Sequence, residues 1–246
     1  MRFAVVTDIH GNLTALEAVI ADLEQVAPDF IVQGGDLVAG GHRPVEVLDR
    51  VRERGWPGVQ GNTDEMLWKP EMFDQFMRSV PQLAHVWRMV FQQQAPVTRD
   101  LIGADRLAWL RQMPLQWRGD DLAVVHASPT NLWRSPMHNA TDEELETTYA
   151  PLDRAIVAYG HIHVPFVREV GDRIVANCGS VGMPFDGDPR ASYLVVDEGV
   201  ASIRRVAYDV EAEVNSLLQS GYPDAERIAE TLRTARYVLP PSKFEV

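Results

Sequence analysis

"AIVAYGHIHVPF", residues 155–166, carries an apolar run straight into two histidines one residue apart. A plain turn would close such a run with Gly, Pro, Asn or Asp and no imidazole. Four more apolar runs end in a comparable way. "FAVVTDIH" (3–10) ends in Asp8 and His10, and "FIVQGGD" (30–36) ends in Asp36. "GVQGN" (58–62) ends in Asn62, and "LAVVH" (122–126) ends in His126. With His161 and His163, five strand candidates deliver seven metal-capable side chains at their C-terminal ends. In open α/β sheets that edge is where ligand crevices form.

The segments between these runs fit the same fold. Leu13, Leu16, Ile20 and Leu23 recur at helical spacing, and Thr14 with Glu17 has the form of a capping box. "FIVQ" is a second strand, Pro44 opens a second helix that Gly55 closes, and "PGVQ" reads as a third strand. Strand–helix–strand repetition with near-continuous apolar strands predicts α/β architecture, a parallel sheet covered by helices. Residues 64–114 interrupt it with helical faces: Phe73, Phe76 and Met77, then Leu83, Val86, Trp87 and Val90, then Leu107 and Leu110. This is an all-α, cap-like insertion. "LQWRG" and "DLAVVHAS" resume the strands, and a polar helix precedes "AIVAYGHIH". From residue 165 on, "PFVREV", "RIVAN", "SYLVVD" and "ASIRRVAY" follow so closely that hairpins are expected. Two helices near 210–219 and 224–236 finish the pattern. With no internal repeat or linker, residues 1–246 read as a single domain with a mixed pair of sheets.

Composition narrows the partners. The balance of 23 Lys+Arg against 35 Asp+Glu gives −12, which argues against nucleic acids and anionic membranes as general partners. It leaves room for a small phosphate ester whose charge is met locally by metal ions. No apolar stretch is long enough to span a bilayer, and "MRFAVVTDIH" reads as a first strand, too short for a signal-peptide core. A single cysteine, Cys178, fits a reducing cytoplasm and packs as a small core residue.

Seven N and O donors are more than one cation needs. If one carboxylate bridges, they make two sites. Imidazole mixed with carboxylate suits Mn, Fe, Co, Ni or Zn and argues against Ca or Mg. Paired cations serve in-line displacement at phosphorus.

At these residues the chain resembles the calcineurin-like metallophosphoesterase superfamily, whose blocks run D-x-H, G-D, G-N, H and G-H-x-H. The likeness spans roughly residues 2–196 and is similar to the bacterial and archaeal branch of YfcE-type phosphodiesterases. The resemblance implies a four-layer α/β/β/α sandwich. It implies one ion on Asp8, His10, Asp36 and His163, and a second on Asp36, Asn62, His126 and His161, with Asp36 as the bridge. Two divalent transition-metal ions, with Mn favoured, would activate a hydroxide for attack on phosphorus, with Asp36, Asn62 and His126 at the catalytic centre. Family members strong on phosphomonoesters have His after the G-N pair, whereas "GNTDE" has Thr63. A hydroxyl is too weak an acid to protonate a leaving alkoxide, so phosphodiesters or activated monoesters are the expected substrates. Protein or nucleotide phosphatase activity is a weaker reading. The alternative from another class is a catalytically silent scaffold, which predicts missing ligands.

Three further residues are candidates for the substrate or for support of the ligands. Asp64 could orient Asn62 or a ligand histidine, or cap the helix that follows it. His42, in the loop after Asp36, could reach substrate or simply sit exposed. Arg190 could pair with a phosphate oxygen or form a surface ion pair. "CGSVG" (178–182) offers backbone N–H groups as a phosphate cradle. His85 falls on an apolar helical face, where a packed role is expected.

Overall fold

The computed structural model describes residues 1–72, 77–78 and 84–239, with the side chains of 84–86 outside that description. Phe73, Phe76 and Leu83, and the side chains of His85 and Val86, therefore lie outside the described residues. In chain order the elements open with β1 (Arg2–Val6), α1 (Leu13–Val26), β2 (Phe30–Gln33), α2 (Pro44–Glu53) and the short α3 (Asn62–Glu65). Next come α4 (Ala84–Met89), a π-helical turn (Val90–Gln94) and α5 (Ala95–Leu110). β3 (Gln116–Arg118), β4 (Leu122–Val125), α6 (Asp142–Tyr149) and β5 (Ile156–Tyr159) follow. β6 (Phe166–Val170), β7 (Arg173–Asn177), β8 (Ala191–Asp197), β9 (Val200–Val206), α7 (Val210–Gln219) and α8 (Ala225–Thr234) complete the order.

The strands form two mixed sheets, ordered β2-β1-β8-β9 and β3-β4-β5-β7-β6. β1 runs parallel to β2, and β4, β5 and β7 run parallel to one another. β6–β7 and β8–β9 are the expected hairpins. Strand alternation then sorts the core into layers. Phe3, Val5, Leu194 and Val196 of the first sheet meet Leu122, Val124, Ile156 and Ala158 of the second. On the far side of the first sheet, Ala4, Val6 and Val195 pack against Leu16, Val19 and Leu23 of α1 and Val47, Leu48 and Val51 of α2. On the far side of the second, Ala123, Val157 and Tyr159 pack on Leu145 and Tyr149 of α6. The result is a four-layer α/β/β/α sandwich.

Local readings were corrected in two places. α1 is capped by Asn12, whose side chain accepts from Ala15 N, while the Thr14 hydroxyl turns away to Glu213. "PGVQ" makes only a single parallel bridge, Gly58 to Gln33, beside β2. Pro57 has no N–H to extend a ladder, and the Gln33 side chain already donates to Val59 O. Among the described residues no helix is long and apolar enough to cross a membrane.

Candidate metal centre

β1 and β2 end side by side, and their following loops are joined by backbone hydrogen bonds from Asp8, His10 and Gly11 to the carbonyls of Gly35, Asp36 and Leu37. Five of the seven sequence-predicted residues leave their strands in the left-handed region: Asp8, His10, Asp36, His161 and His163, with φ between 50° and 69°. Asp and His tolerate this backbone better than most residues, yet each instance costs roughly 1–3 kcal/mol and clusters where a site demands it. Close approach also requires glycine. A Cβ on Gly61 would lie 2.0 Å from Asp36 Oδ1, and one on Gly160 would lie 2.1 Å from Asp8 Oδ2.

The side chains converge. His163 Nε2 is 3.1 Å from Asp8 Oδ1 and 3.2 Å from His10 Nε2. Asp36 Oδ2 lies 3.7 Å from His10 Nε2 and 3.5 Å from His126 Nε2. Asn62 Oδ1 sits 2.8 Å from His126 Nε2 and 2.9 Å from His161 Nδ1. Two sets can each share one cation, Asp8–His10–His163 and Asp8–Asp36–His126, with ligand atoms within 4.8 Å of one another in each set. Asp8 thus falls in both sets, and His161 approaches through Asn62.

The proton inventory shows what this pocket suits. The Nδ1 atoms of His10, His126 and His163 face the carbonyl oxygens of Ala39, Gly34 and Met183. A carbonyl only accepts, so each Nδ1 carries the hydrogen and each Nε2 turns a lone pair inward. Those lone pairs face carboxylate and amide oxygens, which are acceptors too. Acceptor against acceptor repels unless positive charge lies between, so the donor set fits divalent cations. Burial pushes His161 down to about 4, with His126 adding repulsion, and burial likewise lowers His10. Burial alone would raise Asp8, but positive charge on His163, His126 and His10, where they are protonated, outweighs it and holds its carboxyl below the usual range.

A buttress surrounds the ligands. Asp8 accepts from the Thr7 hydroxyl at 2.8 Å and from His161 N at 3.0 Å. Asp36 Oδ1 accepts from Thr63 N at 2.9 Å, leaving Oδ2 to face the centre. Asp64, fully buried, accepts from Asp36 N, Leu37 N and Gly61 N at 2.9–3.0 Å. It caps the start of α3 by accepting from the N-cap N–H of Gly61, and no hydrogen bond joins it to the Asn62 side chain or a histidine. It fixes the backbone of the Asp36 loop from the third position of α3. Burial and the neighbouring Asp36 charge push its carboxyl up to about 7. In "CGSVG" the N–H groups of Val181 and Gly182 donate to Thr7 and Asp8 carbonyls, so they hold the β1 loop in place of cradling a phosphate.

Two substrate candidates are corrected. His42 turns away to α7, where Nε2 lies 2.7 Å from Ser216 Oγ and Nδ1 lies 3.5 Å from Glu213. Arg190 forms an exposed pair with Asp188, two residues earlier, at 2.6 Å. The acid at that spacing was the sequence signal for it. Cys178 is buried and unpaired by any disulfide.

Two cavities meet at the centre. A cleft of about 370 Å³ is lined by His10, Asp36, Asn62, Thr63, His161 and His163. Its other walls come from Trp87, Val90 and Gln94 of the helical insertion and from Phe185, Ile228 and Tyr237. An open trough of about 530 Å³, lined by Ser128, Asn131, Arg134, Ser135 and Glu144, shares His161 and Met137 with it. Trp87 belongs to the insertion read as cap-like, whereas sequence reading missed Gln94 and, more than 90 positions further along the chain, Phe185, Ile228 and Tyr237. "FQQQ" (91–94), polar residues inside a helical pattern, was the nearest signal.

Comparison with known proteins gives a consistent picture. Residues 1–199 match the family described as the calcineurin-like phosphoesterase superfamily domain. An uncharacterized protein of Methanocaldococcus jannaschii is 29% identical, over 90% of this chain and 93% of its own. The phosphodiesterase YfcE of Escherichia coli is 26% identical, over 82% of this chain and 91% of its own. The crystal structure of a metallophosphoesterase from Sphaerobacter thermophilus superposes with a TM-score of 0.76 at 28% identity, covering 96% of this chain and all of that one.

Proposed function

Because the chain belongs to the calcineurin-like phosphoesterase superfamily, we propose that it is a dimetal-dependent phosphoesterase that prefers phosphodiesters to alkyl phosphomonoesters. One observation carries the reading: three imidazoles, two carboxylates and an amide converge in a buried cluster, with the Nε2 atoms 2.8–3.5 Å from one another or from carboxylate and amide oxygens. Asp8, His10 and His163 would hold one ion, and Asn62, His126 and His161 the other. Asp36 Oδ2, between His10 and His126, suits the bridge. Bound divalent ions would supply the positive charge that acidifies a water and offsets the phosphate charge. The mixed N and O donor set favours Mn, Fe, Co, Ni or Zn, and Mn is the first to test.

The chain's own residues do the positioning. Thr63 N–H and Asp64 lock the Asp36 loop, and the Nδ1 contacts of His10, His126 and His163 lock their rings. Preference for a diester is supported by two features. Thr63 lines the cleft where a proton donor to an alkoxide would be needed, and its hydroxyl is not an acid. The cleft and the trough on either side of His161 provide room for two ester arms. The Escherichia coli relative carries the name phosphodiesterase. A small phosphate ester as substrate and a cytoplasmic setting complete the reading, and no proposed ligand is missing as a silent scaffold would require.

The test uses purified full-length chain with Mn. Bis(4-nitrophenyl) phosphate should turn over faster than a sugar phosphate, and Thr63→His should raise sugar phosphate turnover about 10-fold or more. Equal rates on the two substrates would remove the diester preference. No turnover of either under any of the five metals would favour the scaffold.

A further inference from the structure

The cleft is lined by a glutamine whose amide nitrogen has no hydrogen-bond partner in the chain. Gln94 is 2% exposed, and its Nε2 is buried with no hydrogen-bond partner. Leaving such a group unpaired costs about 1–3 kcal/mol, which Leu or Met at this position would avoid. Gln94 ends the π-helical turn Val90–Gln94, a distortion that recurs at functional sites. It lines the cleft together with Trp87, Val90, Phe185 and Tyr237.

Part of the cleft lining is aromatic and tied to the metal-capable edge. Phe185 stacks on the His163 ring, with centroids 4.3 Å apart and planes 18° from parallel. Tyr237 meets Phe185 edge-on at 5.2 Å. Arg227 stands 5.8 Å over Tyr237, but its Nε pairs with Asp224 and its Nη1 donates to Val238 O. Its charge is met, so it braces Tyr237 and calls for no second anion. Aromatic walls favour flat rings through offset and edge-on contacts, and an Nε2 donor requires an acceptor.

We propose that the cleft seats one ester arm of the substrate as a flat, uncharged ring that presents a hydrogen-bond acceptor to Gln94. This rests on the phosphoesterase reading above, and it makes Gln94 a specificity-determining residue. The second arm then extends along the open trough.

The experiment measures calorimetric affinities of full-length, Mn-loaded chain for two phosphodiesters, the methyl phosphate ester of adenosine and that of ribose. The adenosine ester should bind about 10-fold more tightly, as one added hydrogen bond and ring contacts imply. Gln94→Leu should lose most of that advantage, while Arg190→Gln, on the surface, should keep it. Equal affinities on the unaltered chain overturn the inference, and that comparison stands even where Gln94→Leu fails to fold. An advantage that persists in a folded Gln94→Leu overturns it too. If both esters bind alike while bis(4-nitrophenyl) phosphate is hydrolysed, only the ring inference falls. If neither binds and nothing is hydrolysed, the phosphoesterase reading falls with it.

Discussion

At Asp64 a single carboxylate fixes a loop through backbone N–H groups, with no hydrogen bond to the side chain of any of the seven candidate ligands. Its two oxygens accept three backbone N–H groups, from Asp36, Leu37 and Gly61. An asparagine has one acceptor oxygen, and its NH₂ would face N–H groups. Asp64→Asn should therefore cost about 1–3 kcal/mol of stability. It should also weaken Mn binding about 10–100-fold, as loss of a ligand-orienting contact does. Denaturant unfolding and Mn titration measure the two effects, and unchanged Mn affinity would mean that the Asp36 loop holds itself. The sequence made Asp64 visible through its place after the G-N pair, but it could not show which N–H groups the loops would bring to it. The seven candidate ligands were easier to read, because a polar donor after an apolar strand has few other uses. Arg190 and His42 misled because Asp188 pairs with the one and Ser216 of α7 meets the Nε2 of the other.

At the scale of elements, ordered contacts between distant segments decide the shape of the cleft. Glu213 of α7 is 2% exposed and accepts from Thr14 Oγ1 at 2.6 Å and from Arg43, which joins α7 to α1 and to the loop after Asp36. Tyr222 adds a second tie, accepting from Gly40 N at 3.2 Å and lying 2.9 Å from Thr98 Oγ1 of α5. Glu213→Ala would leave the partly buried Arg43 charge uncompensated and should cost about 2–3 kcal/mol, below the figure for a fully buried pair. Urea unfolding checks this, and a cost under about 0.5 kcal/mol would place the pair among ordinary surface contacts. Asp22 of α1 makes the corresponding tie to the first sheet, accepting from Arg204 Nε and Nη2 at 2.8 and 2.7 Å and from the Tyr193 hydroxyl. Hydrogen bonding to Arg204 lowers its pKa below 3.8, with burial opposing. A depressed carboxylate stabilises the fold above its unfolded pKa and loses that contribution as pH falls through the folded value. Asp22→Asn should thus lower stability by up to about 1 kcal/mol near neutrality, with the difference closing below pH ~4. A difference that stays constant from pH ~7 to pH ~3 would assign the effect to packing. Helix positions were legible from periodicity, whereas these ties were not. Thr14 looked like a cap, and only the arrival of α7 gives its hydroxyl another partner.

Across the whole molecule, two parallel strand pairs in different sheets end at one edge, and that arrangement gathers two sets of metal-capable donors, each set within 4.8 Å. The sequence displayed the strand endings but not the second sheet's approach, which depends on Phe3, Val5, Leu122 and Val124 meeting between the layers. A chain of net charge −12 gains nothing from a buried cluster of acceptors unless cations occupy it. The unfolded chain scatters these donors from position 8 to position 163 and cannot gather them around an ion. Binding to the native state alone adds about 2.7 kcal/mol at a free ion concentration 100 times the Kd. For a chain of this size that corresponds to a rise in Tm of about 5–10 °C. Calorimetric scans with Mn and with chelator measure it directly. Asp36→Asn should lose most of the rise, because the amide removes the charge that faces both His10 and His126. An equal Tm in Mn and chelator would mean that protons, and not metal ions, separate the facing lone pairs. The proposed hydrolysis would then lack its source of positive charge.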